Sequence, residues 1–170
     1  MKQTYIIAFW SPFPLRDLYF CTDFFSPLLK TYGDIQCLDC GSRRDARTYR
    51  LLCQADLVVV GLPQKKSFLD KYFCYEFRHY RNMIYIIMDY FSKESIAPET
   101  ICQHYRIPVN RLARIPYNIR FREAARRGQS RQYFELQDYP PPYEEYIDFQ
   151  AELTRSAKLF LKALETVSIK

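Results

Sequence analysis

The sequence predicts an α/β fold: three layers, with a mostly parallel five-stranded sheet between helices, of the P-loop NTPase-like or Rossmann-like kind. Three observations predict it. Short apolar runs alternate with segments of helical spacing, the pattern of a sheet built by crossovers. Two of those runs, Leu57–Val60 (LVVV) and Met83–Met88 (MIYIIM), are continuous rather than alternating, as strands covered on both faces must be. A long amphipathic stretch closes the chain and supplies a cover for one side.

The strands are expected at Tyr5–Trp10 (YIIAFW), Asp34–Asp39 (DIQCLD), Asp56–Gly61 (DLVVVG), Met83–Asp89 (MIYIIMD) and Leu112–Ile115 (LARI). Between them, Asp17–Tyr32, Asp45–Ala55, Lys66–Tyr80 and Pro98–Tyr105 carry helical spacing. Asp45 is placed to cap one helix and Gly33 to stop another. Crossovers between the strands are expected to be right-handed. Residues 138–143 (DYPPPY) form a stiff connector that cannot be helical inside. Beyond it, 144–168 reads as one helix. Tyr146, Phe149, Leu153, Ala157, Phe160, Leu164 and Val167 step along one face; Glu145, Asp148, Glu152, Arg155, Lys158 and Lys162 take the other. That helix is expected to cover the sheet; a membrane-binding or partner-binding helix is the competing use. The whole chain, 1–170, is read as one domain.

Composition bounds the function. Fifteen tyrosines, 13 phenylalanines and one tryptophan in 170 residues contrast with only four glycines. Loops that cradle phosphates use glycine so that backbone N–H groups approach the ligand, and these glycines, at 33, 41, 61 and 128, are far apart. The net charge of +6 favours acidic partners. No apolar stretch approaches the roughly 18 residues of a bilayer span. Lys2 and the short run after it lack a small-residue cleavage site, so a cytoplasmic place and reduced thiols are expected.

Ligands in such sheets sit beyond the carboxyl ends of the strands, so the turns there hold the candidate chemistry. The first turn is Ser11-Pro12-Phe13-Pro14-Leu15-Arg16-Asp17. A P-loop needs glycines, a lysine and a hydroxyl at fixed spacing. This turn has no glycine and no lysine, Arg16 is its only cation, and Thr22 is expected inside the helix. After the second strand, Asp39 is suited to hold magnesium or orient water, and equally to shape a turn. Cys37-Leu38-Asp39-Cys40 is a lone C-x-x-C that Cys53, Cys74, Cys102 and His104 could complete to a metal site. On a strand its thiols point to opposite faces unless Cys40 sits in the turn, and buried apolar roles suit the cysteines better than metal or redox chemistry. His79 and His104 sit beside no nucleophile signature and are expected on the surface or in packing. Arg111, Arg114, Arg120, Arg122, Arg126, Arg127 and Arg131 form a basic run, with Glu123 the only acid among them. The run suits a solvated face partly paired with the acidic 135–152 stretch, an acidic partner or anionic membrane surface, or nucleic acid, with Tyr117, Phe121 and Tyr133 available for stacking.

The order of several segments resembles the MinD/ParA-type ATPases, nearest to the branch that places Flp/Tad pili (TadZ and CpaE proteins). Ala55–Gln64 (ADLVVVGLPQ) is similar to the strand and turn after that family's switch region, and Asp34–Ser42 to the switch strand. Met88-Asp89-Tyr90 occupies the place of a strand ending in Asn-Tyr. Ile115-Pro116-Tyr117-Asn118, then Phe121-Arg122-Glu123-Ala124 and Gly128, resemble another family segment, and Phe9-Trp10-Ser11-Pro12 the lead-in to its phosphate loop. The likeness spans residues 5–12 and 34–134.

The resemblance implies a cytoplasmic protein that dimerises around ATP and positions machinery on a membrane or nucleoid. It places the nucleotide pocket at Ser11, Arg16, Asp39, Asp89, Pro116 and Asn118. Three departures from the family pattern change that expectation. Ser11–Thr22 keeps none of the loop's glycines or lysines, Asp89 stands where an asparagine contacts adenine, and the segment before the switch strand is missing. The sequence therefore predicts a vestigial pocket, without catalytic residues, metal or cofactor, in which Phe9, Trp10, Phe13, Tyr19 and Phe20 have closed a former cradle. The predicted function is an inactive interaction or localisation module, in pilus or surface-machine assembly. Its expected partners are pilus-assembly proteins, a MinD/ParA-like protein or a second copy. The alternatives are an ATP·Mg²⁺-binding ATPase or sensor in which Arg16 replaces lysine, and a nucleic-acid module on the arginine run.

Overall fold

The computed structural model describes residues 4–15, 19–76, 80, 82–91, 96–129, 132–133 and 144–168. Its five strands are β1 (Tyr5–Trp10), β2 (Ile35–Asp39), β3 (Leu57–Pro63), β4 (Met83–Tyr90) and β5 (Leu112–Pro116). They form one sheet in the order β2-β1-β3-β4-β5, every neighbouring pair parallel. This is the flavodoxin-like doubly wound order. The helices are α1 (Tyr19–Lys30), α2 (Ala46–Gln54), α3 (Lys66–Lys71), α4 (Pro98–His104), α5 (Ile119–Arg126) and α6 (Glu144–Ser168).

The strands face two separate cores. On one side Phe9, Val59 and Ile86 meet Phe25 and Leu29 of α1, Phe121 of α5 and Phe149, Leu153, Ala157, Phe160 and Leu164 of α6. On the other, Val58, Val60 and Ile87 meet Leu52 of α2, Leu69 of α3 and Ile101 of α4. The continuous apolar runs are thus explained: Leu57–Leu62 and Met83–Met88 are buried throughout. Of the inward face read from the sequence of the last helix, Phe149, Leu153, Ala157, Phe160 and Leu164 are buried, whereas Glu152, read on the outer face, turns to Arg114 of β5. Phe160 packs edge-on against Phe9 and Phe25 at 5.9 and 4.9 Å.

Asp45 caps α2 as expected, its carboxylate accepting the Thr48 N–H at 2.7 Å. The helix expected over 66–80 is shorter. α3 ends at Lys71 and runs into a π-helical turn, Tyr72–Glu76. The wider turn directs two successive aromatics inward: Tyr72 and Phe73 both pack on Tyr85, at 6.2 and 5.2 Å. The connector 138–143, Arg16, Arg131, His79 and the side chains of Tyr19, Phe20, Tyr146 and Val167 lie outside the described residues.

Candidate functional site: the carboxyl rim of the sheet

With β1 between β2 and β3, the chain reverses its direction of winding at the carboxyl ends of β1 and β3, and a ligand crevice belongs there. The turn that fills this place is closed on itself. Ser11 is fully buried, and its hydroxyl accepts the Phe13 N–H at 3.1 Å. Its own N–H donates to the Gly41 carbonyl at 2.9 Å. Arg44 Nη2 donates to the Pro12 carbonyl, and Trp10 Nε1 to the Arg43 carbonyl at 2.9 Å. Phe13 is buried under Phe68, with ring centroids 4.9 Å apart, and Lys71 Nζ lies 5.8 Å from its ring centre. Among the described residues of this turn, the N–H groups of Ser11, Phe13 and Leu15 are therefore used, the first toward the turn after β2 and the other two within the turn itself.

The aromatics around this turn divide between the two cores. Phe9 joins Phe25 and Phe160 on the α1 side, while Trp10 lies with Tyr49 and Tyr80 on the α2 side. Asp39 shapes a turn: its carboxylate accepts the Gly41 N–H at 2.7 Å, and Gly41 has a φ of +54°, which glycine adopts without strain. After β3, the half-turned Gln64 amide is fully engaged. It accepts the Phe91 N–H at 2.8 Å and donates to the Ile96 carbonyl at 2.9 Å and the Phe91 carbonyl at 3.2 Å, holding the chain after β4.

The other named residues gather at β4 and β5. Asp89 has a φ of +53°, at the irregularity that breaks the β4–β5 register between Ile87 and Tyr90. Its carboxylate lies 3.7 Å from Arg122 Nη1. Arg122 in turn lies over Tyr117 at 5.3 Å, and Tyr117 stacks on Phe91 at 4.8 Å. Asn118 begins α5: its side-chain oxygen accepts the Phe121 N–H at 2.9 Å, and its amide donates to the Tyr133 hydroxyl at 3.0 Å. Asp89, Pro116 and Asn118 line a cleft of about 20 Å³ with Cys21, Met88 and Leu153. That is room for about one water.

Ser11 and Asp39 do not join this group. β4 is two strand positions from β1 and three from β2, about 10 and 14 Å across the sheet. The structure therefore brings together Asp89, Pro116 and Asn118, and separately Ser11 and Asp39. Aromatic stacking surfaces are also spent: Phe121 is buried, and Tyr133 and Tyr117 are engaged as described.

The arginine run divides by role. Arg111 Nη1 donates to the Asn82 side-chain oxygen and to the Met83 carbonyl at 3.2 Å, at the amino end of the sheet. Arg114 pairs bidentately with Glu152 of α6, at 2.8 and 2.7 Å, and lies over Tyr90 at 5.0 Å. That pairing holds Glu152's carboxyl below the ordinary range. Arg120, Arg126 and Arg127 are exposed on and beside α5.

Cys37 of β2 and Cys40, in the turn after it, belong to opposite cores. Burial raises both thiols to about 11. Among the described residues no three His, Cys, Asp or Glu side chains stand close enough to hold a metal ion, and no helix is long and apolar enough to cross a membrane.

A cationic ridge that the sequence reading does not include runs from Arg43, in the turn before α2, to Arg47 and Arg50 on α2, all exposed. Their spacing of four and three residues was the available signal. None of the three has a carboxylate within ion-pair distance among the described residues.

The chain matches no known protein family and no curated protein. Among solved structures it is similar to a ParA family ATPase from Chlorobium tepidum, at 14% identity and a TM-score of 0.53, over 92% of this chain and 86% of that one. The fold is accordingly ParA/MinD-like.

Proposed function

We propose that this chain is a ParA/MinD-like scaffold that has lost ATP turnover and works as an interaction or localisation module, in the manner of the TadZ-like proteins of pilus and surface-machine assembly. The observation that carries this reading is the turn Ser11–Leu15. Where a phosphate loop would offer open N–H groups and a lysine, this turn offers a buried serine bonded to its own loop, an occupied proline carbonyl and a phenylalanine packed under Phe68. Asn118, the remaining amide of the pocket, is committed to capping α5 and to Tyr133. A fold kept without its ligand chemistry supports a role by contact with other proteins.

A thermal-shift titration with ATP and magnesium tests this. A ligand at a hundred times its dissociation constant adds about 2.7 kcal/mol of stability. No shift is expected at millimolar ATP, and no phosphate release. A shift accompanied by hydrolysis would sink the proposal and return the altered-loop ATPase with Arg16.

A further inference from the structure

Among the described residues the strand order leaves the outer edge of β2 without a neighbour. Two bonds fix which of its groups face outward. Tyr5 N–H donates to the Asp34 carbonyl at 2.9 Å and Cys40 N–H to the Phe9 carbonyl at 2.8 Å. In a parallel ladder this alternation commits the even-numbered residues of β2 to β1. The N–H and C=O groups of Ile35, Cys37 and Asp39 therefore point to the open edge.

Cations flank that edge on both sides of the sheet. On the α1 side the exposed Lys30 acts electrostatically on the Cys37 thiol. On the α2 side Arg43, in the turn before α2, acts on Cys40, and Arg47 and Arg50 follow on α2, about 4.5 Å of axial rise from each other. Tyr49 turns inward to Trp10, and Arg47, about 200° round the helix from it, turns outward. The two acids at the ends of β2 are drawn into the chain: Asp34 accepts from the Thr4 hydroxyl at 2.6 Å and Asp39 from Gly41.

We infer that the β2 edge, between Lys30 and the Arg43–Arg47–Arg50 ridge, is a docking site for an extended acidic segment of a partner protein, which adds to the sheet as a sixth strand. The backbone edge supplies the hydrogen bonds, and carboxylates alternating to the two faces of the added strand meet the lysine and the arginines. Another copy of this chain does not fit, because its own β2 edge would bring like charges together. A phosphate backbone would use the arginines but leave the edge amides idle. The inference rests on the reading of the chain as an interaction module and names the chemistry of its partner.

The test uses the full chain and a fluorescent Val-Glu peptide in which pairs of Val alternate with pairs of Glu, so that carboxylates fall on both faces of the strand. A Val-Lys peptide of the same pattern and single-stranded oligothymidylate serve as comparisons. By anisotropy the Val-Glu peptide is expected to bind and the Val-Lys peptide not. Arg47→Glu with Arg50→Glu should weaken binding at least about tenfold. N-methylation of one set of alternate peptide residues should abolish binding while the other set is tolerated. Hydrogen exchange should slow at Ile35, Cys37 and Asp39, not at Gln36 and Leu38. A silent Val-Glu peptide, tolerance of both methylation patterns, or tighter binding of oligothymidylate would each overturn the inference. The ATP titration separates the two claims. A shift accompanied by hydrolysis there overturns the module reading whatever the peptide does, and a silent peptide overturns this surface alone.

Discussion

The two edges of the sheet carry arginines of opposite use. At β5, Arg114 is spent on Glu152, and the pair locks α6 to the strand, with Ser156 donating to the Arg114 carbonyl at 3.2 Å. At β2, Arg47 and Arg50 meet no carboxylate among the described residues and stand on a helix whose inner face is secured by Thr48 and Leu52. One edge is internally neutralised and the other is left charged. A basic run in the sequence thus says little about where a protein is free to meet an acidic partner; what decides is which cations the fold has already paired.

Breaking the covered side should have the largest effect. Phe160 is fully buried between Phe9 and Phe25, and Phe160→Ala should cost about 3–5 kcal/mol in urea unfolding. A loss under about 1 kcal/mol would mean that α6 is not part of the core. On the other side, Leu52→Ala, also buried, should cost about 2–3 kcal/mol, less because α2 is short.

The Arg114–Glu152 pair comes next. Its side chains are 27% and 18% exposed, so Arg114→Met should cost only about 1–2 kcal/mol at neutral pH. Arg114 lowers the folded pKa of Glu152 from the ordinary 4.5, so the pair's contribution is full above pH 4.5 and is lost as pH falls through the lowered value. The stability curves of wild type and variant should therefore converge in acid. Parallel curves from pH 7 down to 3 would show that the pair does not carry the difference.

The fold was legible because the strands and α6 announce themselves by local pattern: a continuous apolar run, or a step of three and four. The site was less so, because the deciding partners are remote in sequence. Glu152 lies 38 residues from Arg114, and Asn82 lies 29 from Arg111. Asp39 and Asn118 were read as pocket residues from resemblance, yet a turn and a helix cap are also what those residue types do, and local pattern does not separate the two uses. The odd-numbered outward amides of β2 depend on the register with β1, which no feature of the five-residue strand reveals.

The smallest effect is the one that sharpens the comparison most. Arg47→Glu with Arg50→Glu places two acids where, among the described residues, no cation is paired with an acid and Arg50 only bonds the Ala46 carbonyl at 3.4 Å, so stability should stay within about 0.5 kcal/mol of wild type. The same reversal at Arg114 would set a second carboxylate against Glu152 and unfold part of α6. If the α2 variant instead lost as much as Arg114→Met, the ridge would be serving the fold through contacts that its exposure hides, and both edges would belong to the structure. If it unfolds at the same urea concentration and loses the Val-Glu peptide, the arginines of α2 are held for a partner, and the difference between the edges is one of function.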